Sequence, residues 1–266
     1  MEEQKKIDLS NIKLFLMDMD GTVYIGDNKI PGAFESLETL RKAGKRICFL
    51  TNNSSRAQKT YIEKLKRVYD FTADENEVYT SAMATCEFLK NKHYGKKVFI
   101  LAPPDVKKEF EDFGINVVED DPDIVLVCFD TTLTYDKLYK ACKFIYQGKY
   151  YVASHPDNFC PAPDGPMPDM GGFIACIEKT VGKLPDVIVG KPYSEMAEAV
   201  QSKFGLKKEE IAMVGDRLYT DIRFGTDNGF TSILVLTGET DREMLEQSSI
   251  KPTVVLDTFS DVLDLV

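Results

Sequence analysis

No apolar run in this sequence approaches the roughly eighteen residues a membrane-spanning helix needs, so no membrane partner is expected. The opening Met1-Glu2-Glu3-Gln4-Lys5-Lys6 lacks the apolar stretch of a signal peptide, and a cytoplasmic location is expected. Basic residues are in the minority, 33 Lys and Arg against 43 Asp and Glu. The resulting formal charge of −10 argues against nucleic acid as a partner, because phosphate backbones demand a basic face. The six cysteines include no C-x-x-C pair. Cys48 and Cys128 lie in strand-like runs and Cys142 and Cys176 in amphipathic helical ones. They are expected as small buried hydrophobes in a reducing compartment, not as disulfides or zinc ligands. Two histidines are too few for a histidine-based metal site, and His93, set among lysines, is expected in solvent.

What is present is an ordinary globular composition, 43% hydrophobic and 29% charged, in 266 residues, near the length at which one core divides into two domains. Strand-length apolar runs alternate with helical patterns, which predicts βαβ units and a mainly parallel, doubly wound, Rossmann-like α/β sheet. Strands are expected at 13–17, 46–50, 187–189, 211–214, 231–236 and 253–255, with a helix opened by Pro31 and closed by Gly44. Ser54 or Ser55 is placed to cap the helix that follows Thr51-Asn52-Asn53. A second set of βα units, with strands near 97–101, 115–118, 124–128 and 150–153, is enough for an inserted α/β domain. The expected division is a core of residues 1–80 and 186–266 interrupted by a cap at 81–185. The Pro-, Gly- and Asp-rich segment 154–172 is long for a mere connection.

The most informative segment is Asp18-Met19-Asp20-Gly21-Thr22, directly after the apolar run Leu14-Phe15-Leu16-Met17. A buried strand ending in two carboxylates delivers acids to the rim where open α/β sheets bind ligands. Alternation points Asp18 and Asp20 the same way, and a hard cation relieves their mutual repulsion. An EF-hand loop counted from Asp18 would need Gly and Glu where the chain has Val23 and Lys29, so that reading fails. Three further polar clusters follow strand-like segments or open helices: Thr51 with Asn52, Lys191, and Asp216 with Asp221. Taken singly, each has a plain explanation as turn chemistry, a solvated Lys or a helix N-cap. Converging at one rim, they are the inventory for phosphoryl transfer through an aspartyl-phosphate: a carboxylate nucleophile, an acid/base, and cationic and hydroxyl groups for the equatorial oxygens.

In order along the chain, DMDGTVYIGDNKIPGA, TNNSSR, GKP and VGDRLYTDI resemble the four motifs of the haloacid dehalogenase superfamily of phosphatases. FDTTLTYDKLYKACKFIYQGKYYVASHPD resembles the cap segment of its NagD-like subgroup, the sugar and nitrophenyl phosphatases with a type IIA cap. The resemblance covers nearly the whole chain. It implies a magnesium-dependent phosphomonoesterase in which Asp18 is nucleophile and metal ligand. Asp20 would be the acid/base, lending its backbone carbonyl to the metal. Thr51, the Asn52 amide and Lys191 would bind phosphate, Asp216 would complete the metal ligands, and Asp221 would brace them. Substrates would be small phosphate monoesters such as sugar phosphates, nucleoside monophosphates or aryl phosphates, and the protein a monomer or homodimer.

Two departures fall in the cap loop. His155 stands where the subgroup usually has Asn, and Pro168-Asp169-Met170-Gly171 where it often has Pro-Gly-x-Gly. His155 and Asp157 are candidate substrate contacts there. From Tyr150 through Glu178 there is no Lys or Arg, while Asp157, Asp164 and Asp169 are present, so leaving groups without a negative charge are expected to be preferred. Two other readings compete. A phospho-accepting receiver module shares the sheet and the acids but needs neither the inserted cap nor Asp20. A catalytically idle ligand-binding relative would be expected to lack some of the chemical positions, all of which are filled here.

Overall fold

The structure, a computed structural model, describes residues 8–160 and 165–266 and divides into two compact units. Asp164 lies outside the described residues. The first unit comprises the described part of residues 1–50 together with 64–78 and 201–266. Its six-stranded sheet runs Val254–Leu256, Thr231–Val235, Ile211–Gly215, Leu14–Met17, Arg46–Thr51 and, at the edge, Val78–Thr80. Leu14–Met17 is central, which is why four consecutive apolar residues are needed there: all four have 0% exposure. It pairs in parallel on both sides, with Met17 opposite Val214 and Phe49. That register carries Asp18 to the same sheet end as Gly215 and Asp216, and the Asp18 N–H donates to the Val214 carbonyl at 2.9 Å.

The helix expected between Pro31 and Gly44 runs Ala33–Lys42, with Arg41 and Lys42 at its negative C-terminal end. Arg41 also forks onto Glu77 and lies 4.4 Å from the Phe71 ring centroid, fastening this helix to the segment before the edge strand. The polar stretch after Asp20 is not plain loop. It folds into a small antiparallel hairpin, Tyr24–Ile25 against Asn28–Lys29, with Tyr24 stacked on Tyr69 at 4.4 Å.

The second unit holds residues 51–63 and 79–200. Its sheet is five-stranded and parallel, in the order Val187–Ile188, Tyr150–Ala153, Ile124–Val127, Lys97–Leu101, Asn116–Val117. Phe99, Val125, Val127 and Tyr151 pack beneath helices Tyr135–Tyr146 and Met170–Val181, through Phe144, Ile145, Met170 and Ile177. The strand near 187–189 was expected in the core sheet. It instead pairs here, Val187 with Val152 and Ile188 with Ala153. Two residues carry no alternation pattern, so only tertiary pairing chooses their sheet.

Local capping differs from expectation as well. Ser54 does not cap a helix: its hydroxyl lies 2.9 Å from that of Ser154 and accepts from the Phe129 N–H at 2.8 Å. The helix Gln58–Tyr69 is met at its start by Glu109, which accepts from the Gln58 N–H at 2.9 Å. Cys48, Cys86, Cys128 and Cys142 are buried as free thiols, but Cys176 is exposed on the outer side of its helix. His93 is half-buried, not solvated, with Phe88 and Tyr150 at 5.3 and 4.9 Å. Among the described residues no helix is long and apolar enough to cross a membrane.

Candidate active site

In the first unit, one carboxylate oxygen each from Asp18, Asp216 and Asp221 lie within 4.8 Å of one another. Asp18 arrives from the central strand and Asp216 from the end of Ile211–Gly215. Asp221 comes from a single π-helical turn, Leu218–Ile222. Such turns recur at functional sites because they re-aim one side chain. Asp216 is not a helix cap. Its Oδ2 accepts from the Glu239 N–H at 2.6 Å, while Oδ1 is buried and has no hydrogen-bond partner. Burial first, then the Asp18 and Asp221 charges, push its pKa well above the ordinary carboxylate range.

The backbone makes room for this crowding. Gly21, at φ +83°, passes so close that a Cβ would meet Asp216 Oδ2 at 2.3 Å, and a Cβ on Gly238 would meet it at 2.0 Å. Thr237 ties the two segments together by donating from Oγ1 to the Gly21 carbonyl at 2.6 Å.

Asp20 lies in the same unit but outside that trio. The residue is exposed, yet crowding around its carboxyl raises the pKa, with Lys64 opposing and Asp18 adding. Solvent screening limits that push. Two cations here were not singled out in the sequence. Arg217 resists burial through the Asp18 and Asp221 charges, which hold it firmly protonated, and it pairs with Glu239 at 3.1 Å. Lys64 lies 4.3 Å from the Tyr24 ring centroid, near Asp20. The adjacency of Arg217 to Asp216 was a usable signal. Lys64, one of several lysines on an amphipathic helix, offered none.

Thr51, Asn52 and Lys191 fall in the second unit, at 7%, 5% and 2% exposure. The Asn52 side chain clamps the Lys191 backbone: Oδ1 accepts from the Lys191 N–H at 2.7 Å and Nδ2 donates to its carbonyl at 2.9 Å. Nδ2 also donates to Asp157 at 3.0 Å. Asn52 therefore has a positioning task beyond the backbone amide for which it was singled out. Thr51 Oγ1 accepts from the Asn53 N–H at 3.1 Å, which orders the turn behind the strand end. His155 is fully buried, not a loop residue in solvent. Its neighbours are Asp157, at 3.7 Å, and Asp169, at 3.5 Å, so the two departures noted in the cap loop touch each other.

Carboxylates gathered at the C-terminal ends of parallel strands place this chain among α/β folds that carry an acid cluster at that end of the sheet. Residues 15–116 match the family model of haloacid dehalogenase-like hydrolases, and residues 188–262 match a second HAD-like hydrolase model. A 5′-nucleotidase of Bacillus subtilis is 32% identical, covering 95% of this chain and 98% of that protein. A sugar-phosphatase of the same organism is 34% identical, with 94% and 92% covered. The crystal structure of a 4-nitrophenylphosphatase from Thermotoga maritima superposes with a TM-score of 0.92 at 44% identity, covering 96% and 98%. The chain belongs to the haloacid dehalogenase-like hydrolases, in their NagD-like group, and it is a phosphatase.

Proposed function

We propose that the protein is a magnesium-dependent phosphomonoesterase that works through an aspartyl-phosphate on Asp18. The observation that carries this reading is the acid trio, with Asp216 and Asp221 buried, Asp18 partly so, and one Asp216 oxygen left without a partner. Carboxylates alone, crowded and partly buried, suit a hard oxygen-seeking cation. Asp18 and Asp216 would hold it with the Asp20 carbonyl, and Asp221 would brace them. Bound there, magnesium would neutralise charge developing on the phosphoryl oxygens.

The remaining work falls to side chains. An Asp18 oxygen attacks phosphorus, and the bond from phosphorus to the alcohol oxygen breaks. Asp20 gives its proton to that departing oxygen, so the alcohol leaves neutral. Asp20, now ionised, accepts a proton from water as the water oxygen attacks phosphorus, which releases phosphate and restores Asp18. An upward-shifted Asp20 suits the first of these tasks. Lys191, Thr51 and the Asn52 amide are assigned to the equatorial oxygens, with the Asn52 side chain holding Lys191 in register.

We assign Asp157, partly exposed, to the leaving group, with the buried His155 behind it. No Lys or Arg occurs from Tyr150 through Glu178, so a second anionic group on the substrate meets carboxylates there. The preferred substrates are monoesters with neutral, hydroxyl-rich or aryl leaving groups. The names of the sugar-phosphatase and nitrophenylphosphatase relatives support that class. The test compares kcat/KM for a hexose monophosphate, its bisphosphate, a phosphocarboxylate and p-nitrophenyl phosphate, with magnesium and after exhaustive dialysis against EDTA. The monophosphate and the aryl ester should lead, and EDTA should silence all four. Full activity in EDTA would overturn the metal assignment, and preference for the bisphosphate would overturn the assignment of the loop.

A further inference from the structure

We propose that His155, Asp157 and Asp169 form a second metal site, for a divalent transition metal with zinc the best suited, lying wholly within the second unit. One ring nitrogen and one oxygen from each carboxylate lie within 4.8 Å of one another. His155 Nε2 is 3.5 Å from Asp169 Oδ1, and Nδ1 is 3.7 Å from Asp157 Oδ2. Those two contacts use different ring nitrogens, and an ion takes only one. Zinc held at about 2.0–2.2 Å in a tetrahedral site sets its ligand atoms roughly 3.3 Å apart, so ligand atoms standing up to 4.8 Å apart must close by as much as about 1.5 Å on the ion.

The histidine supplies an independent indication. His155 has 0% exposure, and neither ring nitrogen has a hydrogen-bond partner. A neutral imidazole carries one donor and one acceptor, and burying an acceptor unmet is unfavourable. Metal ligation at one nitrogen meets that need.

Charge and orientation agree. Asp169 is 3% exposed, and the Asp157 side chain 14%. Two enclosed carboxylates beside a neutral ring gather negative charge that a divalent ion relieves. Both are oriented from behind, Asp157 by Asn52 Nδ2 at 3.0 Å and Asp169 by the Met170 N–H at 2.7 Å. One imidazole with two carboxylates favours zinc, then cobalt or manganese, over magnesium, whereas the acid trio in the first unit is all oxygen. Filled, the site would engage Asp157 and offset the negative charge of this loop, so the selectivity against anionic leaving groups proposed above belongs to the zinc-free protein. His155 follows the strand Tyr150–Ala153 and Asp169 caps the helix Met170–Val181. An ion there would fasten strand to helix across the hairpin of Phe159–Cys160 with Met167–Pro168.

The chain has only two histidines, so its imidazoles can be read one by one. The full-length protein, labelled with 15N-histidine and saturated with magnesium, is titrated with zinc chloride alone, the signals being assigned with His93→Gln. The His155 ring nitrogens should shift and saturate at one equivalent while those of His93 stay in place. In parallel, zinc affinity is measured for Asp169→Asn, with circular dichroism confirming its fold, and should fall at least tenfold. Unmoved His155 signals at one equivalent, or wild-type zinc affinity in folded Asp169→Asn, would overturn the proposal.

Discussion

Adding one methyl group at Gly238 should disable the site without touching any of its charged residues. Gly238 lacks the left-handed backbone of Gly21, so alanine is conformationally acceptable there. The obstacle is contact: the new Cβ would lie 2.0 Å from Asp216 Oδ2 and 2.5 Å from its Cγ. The tightest contacts real Cβ atoms make begin near 3.0 Å, so the carboxylate or its loop must retreat by about 1 Å, and interiors this dense do not absorb such a shift. The retreat also strains the 2.6 Å bond from the Glu239 N–H. Metal ligation tolerates displacements of only about 0.2 Å, and misplacing a reacting centre by about 1 Å costs roughly 10²-fold. Gly238→Ala should therefore lower kcat/KM for p-nitrophenyl phosphate about 100-fold and raise the magnesium concentration giving half-maximal rate. Overpacking should cost about 1–3 kcal/mol, a fall in Tm of roughly 2–10 °C for a chain of this size. Activity is measured over a magnesium series and stability by calorimetry. A folded Gly238→Ala protein with wild-type kcat/KM and wild-type magnesium dependence would show that Asp216 need not stand where the structure puts it.

Three further outcomes are expected. Asp18→Asn should abolish turnover, and Asp20→Asn should reduce it roughly 10²–10⁴-fold; near-normal turnover by purified Asp18→Asn would rule out the covalent route. The raised Asp216 pKa means that the metal-free folded chain holds a proton the unfolded chain has already lost. Metal-free stability should therefore fall as pH rises above the ordinary carboxylate range, and the Tm gained on adding magnesium should grow from about pH 5 to about pH 8. Scanning fluorimetry checks this, and a gain independent of pH would contradict it. Asn52→Asp replaces a donor to both the Lys191 carbonyl and Asp157 by a carboxylate. It should cost about 2–3 kcal/mol and raise KM for phosphate esters; an unchanged Tm and KM would remove Asn52 from its positioning role.

The sequence by itself determined what was local. An apolar quartet ending in Asp-x-Asp-Gly names a buried central strand and its functional end, because the faces of a strand and the exit at its glycine depend on neighbours in the chain. The motif order and the alternation of strand and helix likewise set the α/β class and the presence of a second set of βα units. Three kinds of fact had no local signature. The sheet joined by Val187–Ile188 depends on a partner strand some thirty-five residues earlier. The close pass of Gly21 at Asp216 and the Thr237 bond to the Gly21 carbonyl bring together segments about 200 residues apart. His155 reads as a loop histidine and Asp169 as one acid of the cap loop until folding places them 3.5 Å apart. Propensity and periodicity are properties of a few consecutive residues, whereas ligand sets, buried charge and van der Waals exclusion depend on distances between remote ones. Those distances exist only once the chain has folded.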